Sequence, residues 1–260
     1  MKSRLSAIVG ICVAGATAAS CGTSGPASST HGASSSTTAT SSHPSQNVSA
    51  DKALADGEGL RLADFPAGWT SGPNPQDNSQ TPAIDAQLAS CLHRPVALFN
   101  NKSPAEAVSP NFSDSNGNQA SSDITYEASA SHVQDEFSVF QEPQFTSCLQ
   151  TALNAYLAYE LQHPSNPNDT IPPAVTLGRS NVARMSFPSL GDRSIAFRLT
   201  LPFSVSGTNL DGYFDIVAVQ QGRVAISTLF FGIGSPFDGQ MEQQLTTLTV
   251  HRVATAATTA

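Results

Sequence analysis

No phenylalanine, tyrosine or tryptophan occurs before Phe65 in this 260-residue chain, so the first 50 residues have no large ring around which to build a core. The foldable part is therefore about residues 51–260, a length suited to one domain of ordinary size or two small ones. Positive charge is scarce as well. Lys and Arg number 12 against 20 Asp and Glu, a formal charge of -8, and no basic stripe gathers on any segment. That excludes the electrostatic footprint of a nucleic-acid binder, so no nucleic acid is expected among the partners. Signatures of catalysis are missing too: there is no Gly-x-Ser-x-Gly elbow, no His-Glu-x-x-His and no phosphate-binding Walker loop. Outside the N-terminal region the histidines are His93, His132, His163 and His251, none in a recognisable catalytic setting. His132 and His251 read as surface residues of helices, and His163 as a loop residue. Gly232-Ile233-Gly234 lacks the third glycine of a dinucleotide fingerprint and reads as a turn. No catalytic residue, metal or cofactor is expected.

What is present begins with a leader. Lys2 and Arg4 precede an uncharged, largely apolar run from Leu5 to Ala16, and the small residues Ala18, Ala19 and Ser20 precede Cys21. This is the layout of a secretory signal peptide, and the apolar run is short of the roughly 20 residues that a spanning helix requires. The small-small-small-Cys junction resembles the bacterial lipobox, in which the cysteine becomes the diacylated N-terminus; Ala18 departs from the leucine usual at that position. The resemblance implies a lipid anchor of palmitate type on Cys21, with release of a soluble protein after an ordinary cleavage as the alternative. From Gly22 to Ala50 there are 15 Ser or Thr among 29 residues and no Lys, Arg, Asp or Glu. Such a stretch cannot bury enough apolar surface to offset its ordering entropy, so residues 21–50 read as a tether, spanning about 30 Å as a coil. Removal of Lys2 and Arg4 with the leader takes the formal charge from -8 to -10. A surface that acidic is repelled by anionic headgroups, which leaves the lipid to hold the protein on the extracytoplasmic face of the cell membrane.

The four cysteines separate by position. Cys12 lies in the leader and Cys21 at the junction, which leaves Cys91 and Cys148 as a disulfide pair in an oxidising compartment. The rival is a metal site on Cys91 and His93, weak because no second clustered ligand pair is present.

Along residues 51–260 the periodicities predict one α+β domain. Ile84, Leu88, Cys91 and Leu92 after Thr81-Pro82 give a short amphipathic helix. Ile124, Tyr126, Ala128 and Ala130 alternate with polar residues, as in a strand with one solvated face. Val133, Phe137 and Phe140, then Phe145, Leu149, Leu153, Tyr156, Leu157 and Leu161 after Pro143, are helical spacings. A Pro/Asn-rich loop covers 163–173. Strands follow at Val182–Phe187, Ile195–Phe203, Tyr213–Val219 and Val224–Phe231, with a turn at Gly191-Asp192 and a hairpin at Gln221-Gly222. A last helix opens after Pro236–Asp238 and carries Met241, Leu245 and Leu248. Short turns between sequential strands imply an antiparallel meander with helices on one face.

Asp64-Phe65-Pro66-Ala67-Gly68-Trp69, the cysteines at 91 and 148, Gly191-Asp192, the Arg198 strand and the hairpin before Arg223 together resemble actinobacterial exported domains. One such family is the extracytoplasmic sensor domain of mycobacterial PknH-type serine/threonine kinases and their stand-alone lipoprotein relatives, which this chain resembles over most of residues 55–255. A second likeness is to mycobacterial lipoproteins of the PsbP/Mog1 fold. The first implies an α/β sandwich with a broad groove for an unidentified ligand; its kinase-linked members carry two disulfides, whereas one pair is available here. With no kinase domain, signalling would need a partner.

Two residues are candidates for ligand contact. Arg198, between Phe197 and Leu199, must face away from the apolar row, where it could bind an anion bidentately or pair with a neighbouring acid. Trp69, after Pro66 and Gly68, could line a pocket or plug the domain edge. The expectation is a membrane-anchored, non-catalytic lipoprotein whose extracytoplasmic domain binds a small molecule, a lipid or a protein. A lipid carrier between envelope layers and an enzyme of dispersed residues are the alternatives.

Overall fold

A computed structural model describes residues 47–74, 81–100, 103, 105–162 and 175–259. The leader, Cys21, nearly all of the tether and the 163–173 loop lie outside them. The described residues form an α+β fold with one open, antiparallel nine-stranded sheet. Helix α1 (Val48–Glu58), a 3₁₀ turn (Leu62–Asp64) and strand β1 (Thr70–Gly72) come first. Helices α2 (Thr81–Cys91) and α3 (Ala97–Asn100) are followed by β2 (Glu106–Val108), β3 (Asn111–Ser113) and β4 (Gln119–Tyr126). Next are α4 (Ala130–Phe140) and α5 (Phe145–Gln162), then β5 (Val175–Leu177) and β6 (Asn181–Met185). The long strands β7 (Arg193–Val205), β8 (Thr208–Gln221) and β9 (Val224–Ile233) precede α6 (Gly239–Thr259).

The strand order is β1-β3-β4-β9-β8-β7-β5, with β2 also on β4 and β6 also on β7. The sequential strands β6, β7, β8 and β9 pair antiparallel in turn, as the expected meander; β4 then adds to the far side of β9, with Ile124 opposite Ile226. Side-chain alternation sends two sets of residues to opposite faces. Ala225, Leu229 and Phe231 of β9 join Phe197, Leu199 and Leu201 of β7 in one core with α2, α4 and α5. Val224, Ile226 and Phe230 join Val217 and Val219 in a second core under α6, with Ala55 of α1. The sequence suggested helices on one face; α1 and α6 cover the other. The weak apolar periodicity of α6 concealed this, because polar Thr246 and Glu242 are buried alongside Leu245 and Val253.

Two boundaries also differ from the sequence reading, each for a local reason. Val48–Ala50, assigned to the tether, form the first turn of α1, where the Asn47 side chain accepts from the Ala50 amide. Burial of Asp51 against Arg223, Nη1 to Oδ2 at 2.9 Å, fixes that turn on the sheet. The strand expected from Ile124 stops at Tyr126, and the first residues of its polar row are buried instead of solvated: Thr125 is 2% and Glu127 5% exposed. Ser129 caps α4 by accepting from the His132 amide at 3.2 Å, so the apparent alternation through Ser131 runs off the sheet into a helix.

The apolar row of β7 has the strongest sequence signal and packs as that signal predicts. Phe197 lies 5.1 Å from the Phe145 ring and 6.1 Å from Phe140, centroid to centroid. Burial of each such ring contributes about 1.5–3 kcal/mol. Cys91, at the end of α2, is bonded to Cys148 in the first turn of α5, with Cα atoms 5.7 Å apart. The disulfide reading therefore holds over the metal reading. Asp64 to Trp69 form a clasp: Asp64 takes both guanidinium nitrogens of Arg252 at 2.6 and 2.8 Å, tying the 3₁₀ turn to α6. Burial pushes the Asp64 carboxyl up, and the bonds from Arg252 and the Arg61 amide outweigh it and hold it below its usual range.

Candidate functional site

Trp69 stacks on Phe65 at 4.6 Å and sits 5.9 Å from Phe237, which itself packs on Phe230. It closes the edge of the second core as a plug. Gly68 adopts φ +99, a left-handed conformation that brings the indole back over Phe65.

Arg198 points, as the alternation requires, to the face opposite the apolar row and meets an acid there. Its Nε and Nη2 hold Asp215 of β8 bidentately at 2.7 and 2.6 Å, on the directly paired position of the neighbouring strand. Asp215 is 1% exposed, and so is Glu242, which reaches down from the first turn of α6. Burial pushes the Glu242 carboxyl up to about 9, and its hydrogen bond to Asp215 acts in the same direction; Arg198 opposes both. Glu242 thus keeps its proton at neutral pH beside the carboxylate that Arg198 holds. Asp192, in the turn before β7, accepts from the Gly222 amide at 2.7 Å and steadies the β8-β9 turn.

This cluster makes stability depend on pH with a definite sign. Between about 4.5, the ordinary glutamate value, and about 9, the folded chain keeps a proton that the unfolded chain has lost. The contribution is complete below about 4.5 and disappears as pH rises to about 9. Glu242→Gln, which keeps the shape and removes the titration, is expected to stabilise the protein at pH 8 by on the order of 1–3 kcal/mol and by little at pH 4. Urea midpoints at the two pH values measure this; equal shifts would show that Glu242 is not held neutral.

A second cluster was missed by the sequence reading, which placed His132 on the surface. His132 is half-buried, and its Nδ1 lies 2.9 Å from Glu127 Oε2. Glu136, one helical turn further along α4, is 2% exposed, and neither of its carboxylate oxygens has a hydrogen-bond partner. One donor atom from each of the three residues lies within 4.8 Å of the others. The legible signal was a glutamate, then His132, then Glu136 four residues on, the spacing of one helix face. What hid it was the misassigned strand, which put residues 127–131 in the wrong element.

The third feature is an open cleft of about 500 Å³ where β5, the β7-β8 turn region and the end of β9 meet. Leu177, Pro202, Phe203 and Leu210 supply apolar wall, and Thr176, Ser204, Asn209 and Asp211 supply polar groups. Gly178 lets the chain pass close to β7: its amide donates to the Pro202 carbonyl at 2.7 Å, and a Cβ there would meet that oxygen at 3.1 Å. Trp69 and Arg198 are placed elsewhere, in the contacts described above. No helix among the described residues is long and apolar enough to cross a membrane. No family model matches this chain, and neither a curated protein nor a solved structure does.

Proposed function

We propose that this chain is an exported lipoprotein, anchored through Cys21 to the extracytoplasmic face of the cell membrane, whose folded domain binds a small ligand without transforming it. The observation that carries the ligand-binding reading is the cleft beside β5, β7 and β8. Its size suits a small molecule, and it mixes an aromatic wall at Phe203 with convergent polar groups at Ser204, Asn209 and Asp211. The Cys91–Cys148 disulfide is compatible with an oxidising compartment outside the cytoplasm. A mycobacterial sensor-type lipoprotein, presenting its domain at the end of a Ser/Thr-rich tether, fits both. Packing of Phe140 and Phe145 on Phe197 of the β7 row favours the small-molecule reading over a lipid carrier that would seat acyl chains there.

Mass spectrometry of the protein from its own membrane fraction tests this reading. The denatured mass is expected to show loss of residues 1–20 and acyl chains on Cys21; the native mass is expected to show a retained small molecule. Cys21→Ala should move the protein to the soluble fraction, and Phe203→Ala should release the ligand while leaving the anchor intact. A Cys21→Ala protein still in the membrane would refute the anchor. An acylated wild-type domain with an empty cleft would shift the reading to a protein partner.

A further inference from the structure

We propose that Glu127, His132 and Glu136 form a binding site for one divalent transition-metal ion of the zinc class, distinct from the cleft beside β5. The three donors come from a single ten-residue segment, so the end of β4 and the first turns of α4 suffice to build the site. Ser129 fixes the entry to α4, and Gln220 of β8 donates through Nε2 to the Ala130 carbonyl at 3.1 Å, holding that turn to the sheet. His132 and Glu136, four apart, then project from the same side of the helix toward Glu127.

The observation that points to a ligand is Glu136. A buried carboxylate is normally paired or hydrogen-bonded, since water is lost on burial and nothing else replaces it. Here a side chain 2% exposed carries two oxygens without partners and shares a 4.8 Å neighbourhood with a second carboxylate and an imidazole. The guanidinium of Arg223 is engaged by Asp51 and meets Glu127 at its backbone carbonyl, 3.1 Å from Nη1. A dication would match the charge of two carboxylates and a neutral imidazole. It would take the place of the proton now bridging His132 and Glu127.

The donor set narrows the ion. One nitrogen and two carboxylates suit zinc and its first-row neighbours; calcium favours six to eight oxygens, and copper(I) favours sulfur. Around a tetrahedral zinc with bonds of about 2.0–2.2 Å, donor atoms stand about 3.3–3.6 Å apart, within reach of small side-chain rotations from the present arrangement. Three protein donors leave a fourth position. It opens at the half-exposed imidazole and is suited to water.

Calorimetric titration of the metal-stripped full chain with zinc alone tests the site, with cobalt as an optical reporter of coordination. One equivalent is expected to bind, with tetrahedral cobalt absorption, and Glu136→Gln and His132→Ala are each expected to weaken binding at least tenfold. Glu136→Gln is isosteric, and its fold is checked by circular dichroism; His132→Ala changes a half-exposed side chain and keeps the test decisive if the first variant is unstable. Absence of saturable binding, or an affinity that both variants leave unchanged, would overturn the proposal. The second result would place the ion elsewhere on the chain. Because neither variant touches the cleft, loss of zinc with retention of the small ligand would separate this site from the proposed function.

Discussion

Replacing Arg198 by methionine is expected to destabilise the protein by about 3–5 kcal/mol at neutral pH, the usual penalty for removing one partner of a buried ion pair. Asp215 sits 1% exposed under α6 with Glu242 against it, so the loss of the guanidinium leaves a buried carboxylate whose nearest neighbour is another acid. Adding Asp215→Asn to Arg198→Met should recover most of the loss at pH 7 by the same reasoning. Urea unfolding of the single and double variants at pH 7 measures the loss and its recovery. A loss below about 1 kcal/mol, the worth of an exposed pair, would mean that Arg198 is free for another role, such as binding an anion.

Opening the disulfide should have an effect of similar size. The bond joins residues 57 apart in sequence and, in the chain-entropy description, a loop of that length stabilises by roughly 4 kcal/mol through the unfolded chain. Its position adds to this: α2 and α5 meet through Leu88 and Leu149 in the first core, and the bond holds α2 against that face. Cys91→Ser with Cys148→Ser is expected to lower the unfolding free energy by that amount, seen as a lower urea midpoint, without altering the far-ultraviolet spectrum of the folded protein at 20 °C. The wild type in strong reductant should match the double variant. If reduction leaves the midpoint unchanged, the helices are held by packing alone.

The elements that were legible in the sequence are those whose side-chain period is set by a single buried face. Phe197, Leu199 and Leu201 of β7, and Phe145, Leu149 and Leu153 of α5, are of this kind, and both elements appear where the spacing puts them. The β4 strand was harder because it is covered on both sides. Thr125 and Glu127 read as part of a solvated row, yet both are buried, with Thr125 Oγ1 donating to Asp123 Oδ1 at 3.2 Å. For α6, burial of Glu242, Thr246 and Thr249 blurs the apolar stripe, so its seat on the second face could not be anticipated. Thr246 and Thr228 share a hydrogen bond of 2.8 Å between α6 and β9, a polar contact that leaves no periodic mark in the chain.

Composition and short-range spacing determined the α+β class, the long strands and helices, and the pairing of Cys91 with Cys148, because each depends on residue type or on neighbours within a few turns. They also carried the expectations of a leader, a lipid-bearing Cys21 and a tether. Only the tertiary structure decided which groups meet across the sheet: Arg198 with Asp215 and Glu242, Asp64 with Arg252, and Arg223 with Asp51. These pairs join residues 17 to 188 positions apart, and the last ties the start of α1 to the β8-β9 hairpin. The physical reason is that a charge selects its partner by distance and desolvation in the folded chain. Strand order and the faces taken by the helices set both of those, and a linear pattern contains neither.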